Sequence, residues 1–249
     1  MRFAGANCQL RVFFGDGRGN FRKQVLSTGN GIHEGRVADL DGDGDPDIVH
    51  KPYNDRAPRV EVWINNRTTG GGGLPIDRWA RKELDSNIPV AAFFVRYGDL
   101  DGDGDLDLAT GDAWYRNSGT AAGNWQRVPF AAPLKNVAVL HDFDGDGDLD
   151  VLGTQGTTAG SNPNFAWADN DGRGNFTVRT NITSGQGDFL QGVAAARFGG
   201  SGSPIEVALS WHAGGGGVQM LTVPSNPRSG TWAWRRVTTT NEEEDLSVG

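Results

Sequence analysis

The chain of 249 residues carries a formal net charge of −8, 38 glycines, eight tryptophans, twelve phenylalanines and one cysteine. The aromatic content excludes a chain with too little to bury, the lone Cys8 excludes an intramolecular disulfide, and the lack of a long apolar run excludes membrane insertion by a helix. An acidic balance disfavours nucleic acid as a partner, although fifteen aspartates are packed into 39–47, 99–107 and 142–150, five in each, where divalent cations would cancel much of the charge.

From the N-terminus, Val12-Phe13-Phe14-Gly15-Asp16-Gly17-Arg18-Gly19-Asn20-Phe21 reads as a hairpin turning on its glycines. The β run Arg36-Val37-Ala38 leads into the first acidic segment, Asp39-Leu40-Asp41-Gly42-Asp43-Gly44-Asp45-Pro46-Asp47. A strand over 60–64 follows, ending on Trp63-Ile64-Asn65-Asn66, then a glycine-rich loop at 70–73 and Trp79-Ala80-Arg81. The two-part unit then returns. Asp99, Asp101, Asp103, Asp105 and Asp107 precede Trp114-Tyr115-Arg116-Asn117 and Trp125-Gln126-Arg127. Asp142, Asp144, Asp146, Asp148 and Asp150, after a β run at 137–140, precede Trp167-Ala168-Asp169-Asn170 and a second Asp171-Gly172-Arg173-Gly174-Asn175-Phe176 turn. A degraded fourth first half begins at Arg197 and reads Gly199-Gly200-Ser201-Gly202-Ser203 before a strand at 205–209. A loop at 214–217, Val218-Gln219-Met220 and Trp232-Ala233-Trp234-Arg235 complete it.

First halves therefore begin at 39, 99, 142 and 197, spacings that suit four-stranded blades of roughly 40–50 residues with loop insertions. With no sustained helical face, the expectation is one all-β propeller domain over 1–249. The C-terminal segment 242–249 resembles the run before Asp99, which predicts pairing of N- and C-terminal strands in a closed fifth blade. A fragment of a seven-bladed propeller is the alternative. No signal-peptide core follows Met1, so either the chain is intracellular or a leader is absent from this sequence.

In each acidic segment carboxylates fall at positions 1, 3, 5, 7 and 9, with glycine at 6. Calcium takes six to eight oxygens at about 2.3–2.6 Å, and alternating short carboxylates on a tight loop can converge on one such ion. The position-7 side chain is expected to face solvent, and the position-9 Asp to close the site from the next strand. The EF-hand spacing is similar, but its position-12 Glu is replaced by His50, Thr110 and Gly153. The loops more closely resemble the FG-GAP repeats of integrin α-subunit propellers and the related VCBS repeats, whose core is Asp-x-Asp-x-Asp-Gly-x-x-Asp. That resemblance implies three Ca2+ sites and a secreted or cell-surface binding, adhesion or scaffold module. The partners it implies are a protein or glycan ligand, or copies of the chain itself.

Arg197, Gly199 and Ser201 replace ligands in the fourth copy, so no cation is expected there and the guanidinium is expected to fill its space. His33, His50, His141 and His212 show no zinc or nucleophile spacing, and no Gly-x-Ser-x-Gly elbow occurs. A polysaccharide lyase would need a His, Tyr or Lys base beside an Arg, which the sequence does not assemble, so an enzyme is not expected. Trp63, Trp114 and Trp167 read as equivalent inter-blade core positions; Trp79, Trp125, Trp211 and Tyr115 read as candidates for exposure and sugar stacking. Asn66-Arg67-Thr68 and Asn181-Ile182-Thr183 match the glycosylation sequon.

Overall fold

A computed structural model describes residues 8–29, 31–52, 59–66, 79–88, 92–120, 123–156, 164–212, 216–239 and 246. The described residues are all-β: eighteen strands in five antiparallel sheets, and no helix long and apolar enough to cross a membrane. The chain divides into two compact units.

The first unit, 1–90 with 118–124, holds the hairpin of β1 (Gln9–Gly15) and β2 (Phe21–Thr28) and one four-stranded meander. The meander runs β3 (Ile32–Ala38), β4 (Asp47–Pro52), β5 (Val60–Asn65), β6 (Trp79–Asp85) in spatial order. Leu10 of the hairpin packs with Ile48 and Trp63 of that sheet.

The second unit, 91–117 with 125–249, holds three such meanders. One is β7 (Val95–Gly98), β8 (Asp107–Thr110), β9 (Ala113–Arg116), β10 (Gln126–Pro129). The next is β11 (Asn136–His141), β12 (Asp150–Thr154), β13 (Phe165–Asn170), β14 (Phe176–Arg179). The last is β15 (Leu190–Ala196), β16 (Glu206–Trp211), β17 (Val218–Thr222), β18 (Ala233–Arg236). Second strands β8 and β12 and third strand β13 are buried along their whole length, whereas the fourth strand β10 is mostly exposed. A strand buried on both faces needs a neighbour against each face of its sheet, so these meanders stack face to face. Rings fill the joints. Trp167 and Trp232 lie 5.2 Å apart, Phe143 meets Trp232 at 5.2 Å, and Trp114 meets Phe176 edge-on at 6.1 Å.

The register corrects the tryptophan alignment. Ile48, Leu108 and Val151 occupy one repeat position, and their partners are Trp63, Tyr115 and Ala168. Trp114 and Trp167 lie one residue earlier, where β5 has Val62. Successive strand residues face opposite sides, so Trp63 points away from the side used by the other two, towards Leu10 of the hairpin. Tyr115 and Trp211 are fully buried rather than exposed. The amide of Asn181, in one sequon, donates to the Pro227 and Gly230 carbonyls and accepts from Trp167 Nε1, so it is built into the fold. The loop at 70–73, the second sequon beyond Asn66, and the C-terminal segment apart from Leu246 lie outside the described residues.

Candidate metal centres

Each acidic segment joins the first strand of a meander to its second. Glycines at positions 4 and 6 take left-handed φ values: 74° and 88° at Gly42 and Gly44, 75° and 95° at Gly102 and Gly104, 81° and 100° at Gly145 and Gly147. Side chains with a Cβ rarely adopt this backbone, so two glycines curl the chain tightly enough to aim alternate side chains inward.

The position-1 carboxylate organises the curl. Asp99 accepts from Gly102 N at 2.7 Å and Gly104 N at 3.0 Å, and Asp142 accepts from Gly145 N at 2.7 Å and Gly147 N at 3.1 Å. Asp39 accepts from Gly44 N at 2.9 Å. The position-5 residues Asp43, Asp103 and Asp146 each accept from the position-7 amide.

Position 9 clamps the loop to its sheet. Asp47, Asp107 and Asp150 open β4, β8 and β12 and are fully buried. One oxygen of each accepts from the position-2 amide: Leu40, Leu100 or Phe143, at 2.8, 2.9 and 3.0 Å. The other accepts from the amide of an asparagine at the end of the third strand or just beyond it: Asn65, Asn117 or Asn170, at 2.7, 2.8 and 2.8 Å. The same asparagine side chains donate to the position-8 carbonyls of Pro46, Leu106 and Leu149. This clamp is the functional feature sequence reasoning missed, although the asparagines were visible in the second half of each repeat.

Burial opposes ionisation here. It pushes the carboxyls up to about 6 at Asp47 and about 7 at Asp107 and Asp150, against the backbone hydrogen bonds that favour the charged form. Burial and repulsion from Asp43, Asp103 and Asp146 likewise raise Asp41, Asp101 and Asp144.

Three groups bring ligand atoms within 4.8 Å of one another: Asp39, Asp41 and Asp43; Asp99, Asp101 and Asp107; Asp142, Asp144 and Asp146. Asp45, Asp105 and Asp148 at position 7 are not among them. Asp39 Oδ1 and Asp101 Oδ1 are buried with no hydrogen-bond donor. A buried carboxylate oxygen without a donor is costly, and a hard oxygen-seeking cation is the partner this donor set fits.

The fourth copy keeps the path and loses the chemistry. Gly200 and Gly202 have φ of 86° each. Backbone bonds close the turn, Gly200 N to Arg197 O at 2.9 Å and Ser203 N to Gly200 O at 3.1 Å. Arg197 Nη1 donates to the carbonyl of Ser203, position 7. Ile205 stands at position 9, and Pro224, which has no N–H, stands where the clamping asparagine would be, so donor and acceptor are lost together.

Among the described residues, one His–Arg set lies on β4–β6. His50 Nε2 is 3.1 Å from Trp63 Nε1 and 3.2 Å from Glu61 Oε2, and Glu61 also accepts from Arg81 at 2.7 Å. Burial pushes the Glu61 carboxyl up, but the neighbouring His50 and the hydrogen-bonding guanidinium of Arg81 outweigh it and hold the group well below the usual range. His50 and Glu61 are 1% and 2% exposed, which closes them to a substrate.

Residues 3–50, from the hairpin through the first acidic loop into β4, match the family model of the FG-GAP-like repeat. The all-β architecture of repeated meanders agrees with a propeller-type repeat, as the sequence resemblance implied. No curated protein matches the chain.

Proposed function

We propose that the chain is a calcium-stabilised extracellular β-propeller that serves as a non-enzymatic binding or adhesion module, its partner a protein or a glycan. The observation that carries the calcium reading is the contrast between the loops. The 197–205 loop makes the same left-handed turn without a carboxylate, so the aspartates of the other three are not needed to turn the chain. Five aspartates in nine residues repel one another without a counter-ion, and buried donor-free oxygens point to a cation. FG-GAP-type repeats are typically extracellular, which supports the localisation. The burial of the His50–Glu61 group supports the non-enzymatic reading.

A glycan array run with calcium and again with chelator tests the binding role. Calcium-dependent retention on a defined glycan class supports it, and no binding under either condition removes the glycan branch. The closed five-blade ring belongs to the same proposal. A disulfide formed within one monomer between Cys8 and an introduced Val248→Cys is its expected signature, and purely intermolecular cross-linking counts against it.

One observation favours a second reading, a subunit of an extracellular assembly. The turns at 16–20 and 171–175 share their bonding, with Asp16 and Asp171 each accepting from the amides two and four residues on. Yet Phe176 packs on Trp114 and Phe130, whereas its counterpart Phe21 is 69% exposed and Phe13 is 56% exposed. Particle size in solution separates the two readings, because a strict monomer at high concentration rejects the assembly.

A further inference from the structure

The second and third acidic loops share a feature absent from the first among the described residues. In sheet β7–β10, Arg116 Nε lies 2.5 Å from Asp101 Oδ2, and its Nη2 lies 3.6 Å from Asp103 Oδ2. Arg116 immediately precedes the clamping Asn117. At the same position before Asn170, sheet β11–β14 carries an acid, Asp169. That carboxylate accepts from Arg228 Nε and Nη2, both at 2.9 Å. Arg228 comes from the connection between β17 and β18, and so held, its Nη2 reaches Asp144 Oδ2 at 2.6 Å and Asp146 Oδ2 at 3.0 Å.

Two unrelated stretches of chain thus deliver a guanidinium to the same place, the Oδ2 atoms of positions 3 and 5. In sheet β3–β6 the corresponding residue before Asn65 is Ile64, 2% exposed, and among the described residues no guanidinium reaches Asp41 or Asp43.

We infer that Arg116 and Arg228 are built-in counter-charges that weaken cation binding at the second and third loops relative to the first, so that the chain loads calcium in two steps. This rests on the reading of the loops as calcium sites. A guanidinium stays charged at any working pH. It neutralises part of the loop's self-repulsion when no ion is bound and repels the ion when one arrives. For a unit charge about 5 Å from a divalent ion, even the dielectric of water leaves about a tenfold effect on affinity.

The test is calorimetric titration of chelator-treated full-length chain with calcium chloride. Wild type is expected to show one tight site and two at least about tenfold weaker. Arg116→Gln and Arg228→Gln are each expected to move one weak site into the tight class, and Arg228→Lys to keep the wild-type pattern. Both arginines are about half exposed, and Asp169 keeps Arg179 at 2.7 Å, so the variants leave the core untouched. Three equal sites in wild type, or weaker or unchanged binding in both glutamine variants, overturns the inference. No binding in any form rejects the calcium reading itself and the inference with it, whereas three bound ions without an arginine effect rejects only the inference.

Discussion

The 142–150 loop and the 197–205 loop connect the first two strands of their sheets by the same left-handed glycine turn, yet one holds five carboxylates and the other none. The difference separates two jobs that sequence merges. Glycines at positions 4 and 6 turn the chain. Carboxylates at 1, 3 and 5 gather negative charge at a point, and the carboxylate at 9 ties that point to an asparagine at the end of the third strand or just beyond it. Where the charge is gone, Arg197 bonds the position-7 carbonyl, Ile205 replaces the clamping carboxylate, and Pro224 removes the amide that the carboxylate would have bonded on the third strand's side.

Calcium removal gives the largest break in this comparison. A site saturated a hundredfold above its Kd adds about 2.7 kcal/mol, so three loops together are expected to lower the melting temperature by on the order of 10 °C or more when chelator is added. A calorimetric scan checks it. The second effect is that of Asp150→Ala, which strips the acceptor from the buried amides of Phe143 and Asn170. Each orphaned donor costs about 1–3 kcal/mol, so a loss of about 2–5 kcal/mol is expected in denaturant unfolding with chelator present. Ser203→Ala in the fourth loop is expected to cost under about 1 kcal/mol, since it removes one exposed hydroxyl bond.

The third effect is on pH. Asp47, Asp107 and Asp150 are raised to about 6, 7 and 7 in the folded chain, against about 3.9 when unfolded. Without calcium the folded state therefore holds protons that the unfolded state has released. Its stability is expected to rise as pH is lowered from 8 to 5 and to be lost again through pH 6–7 on the way up. With calcium bound the slope reverses, because protons displace the ion. Melting curves across that window with and without chelator check the opposite signs. The smallest effect is Asn117→Ala, which loses the side-chain bond to Leu106 O at 3.0 Å and is expected to cost about 1 kcal/mol. Pro224→Ala, its counterpart beside the carboxylate-free loop, is expected to change stability by under about 0.5 kcal/mol.

The acidic loops, the strands beginning at Asp47, Asp107 and Asp150, and the loss of carboxylates in the fourth copy were all legible, because spacing along a tight loop is a local property. The register of β5 was not. Asn65-Asn66 offers two candidates for the clamping residue, and only the pairing of Ile48 with Trp63 shows that the first is used. Arg228 was invisible for another reason. It lies 59 residues from Asp169, and only the stacking of neighbouring sheets joins them. The His50–Glu61–Arg81 group escaped for the same cause, since three strands each contribute one member.

Native mass spectrometry in calcium-containing volatile buffer tests the central claim most directly. Three bound calcium ions are expected per chain, falling to two when Asp39, Asp41 and Asp43 are changed together to Asn and remaining three when Arg197 is changed to Ala. A wild-type chain that carries no calcium, or whose count is unaltered by the triple substitution, contradicts it.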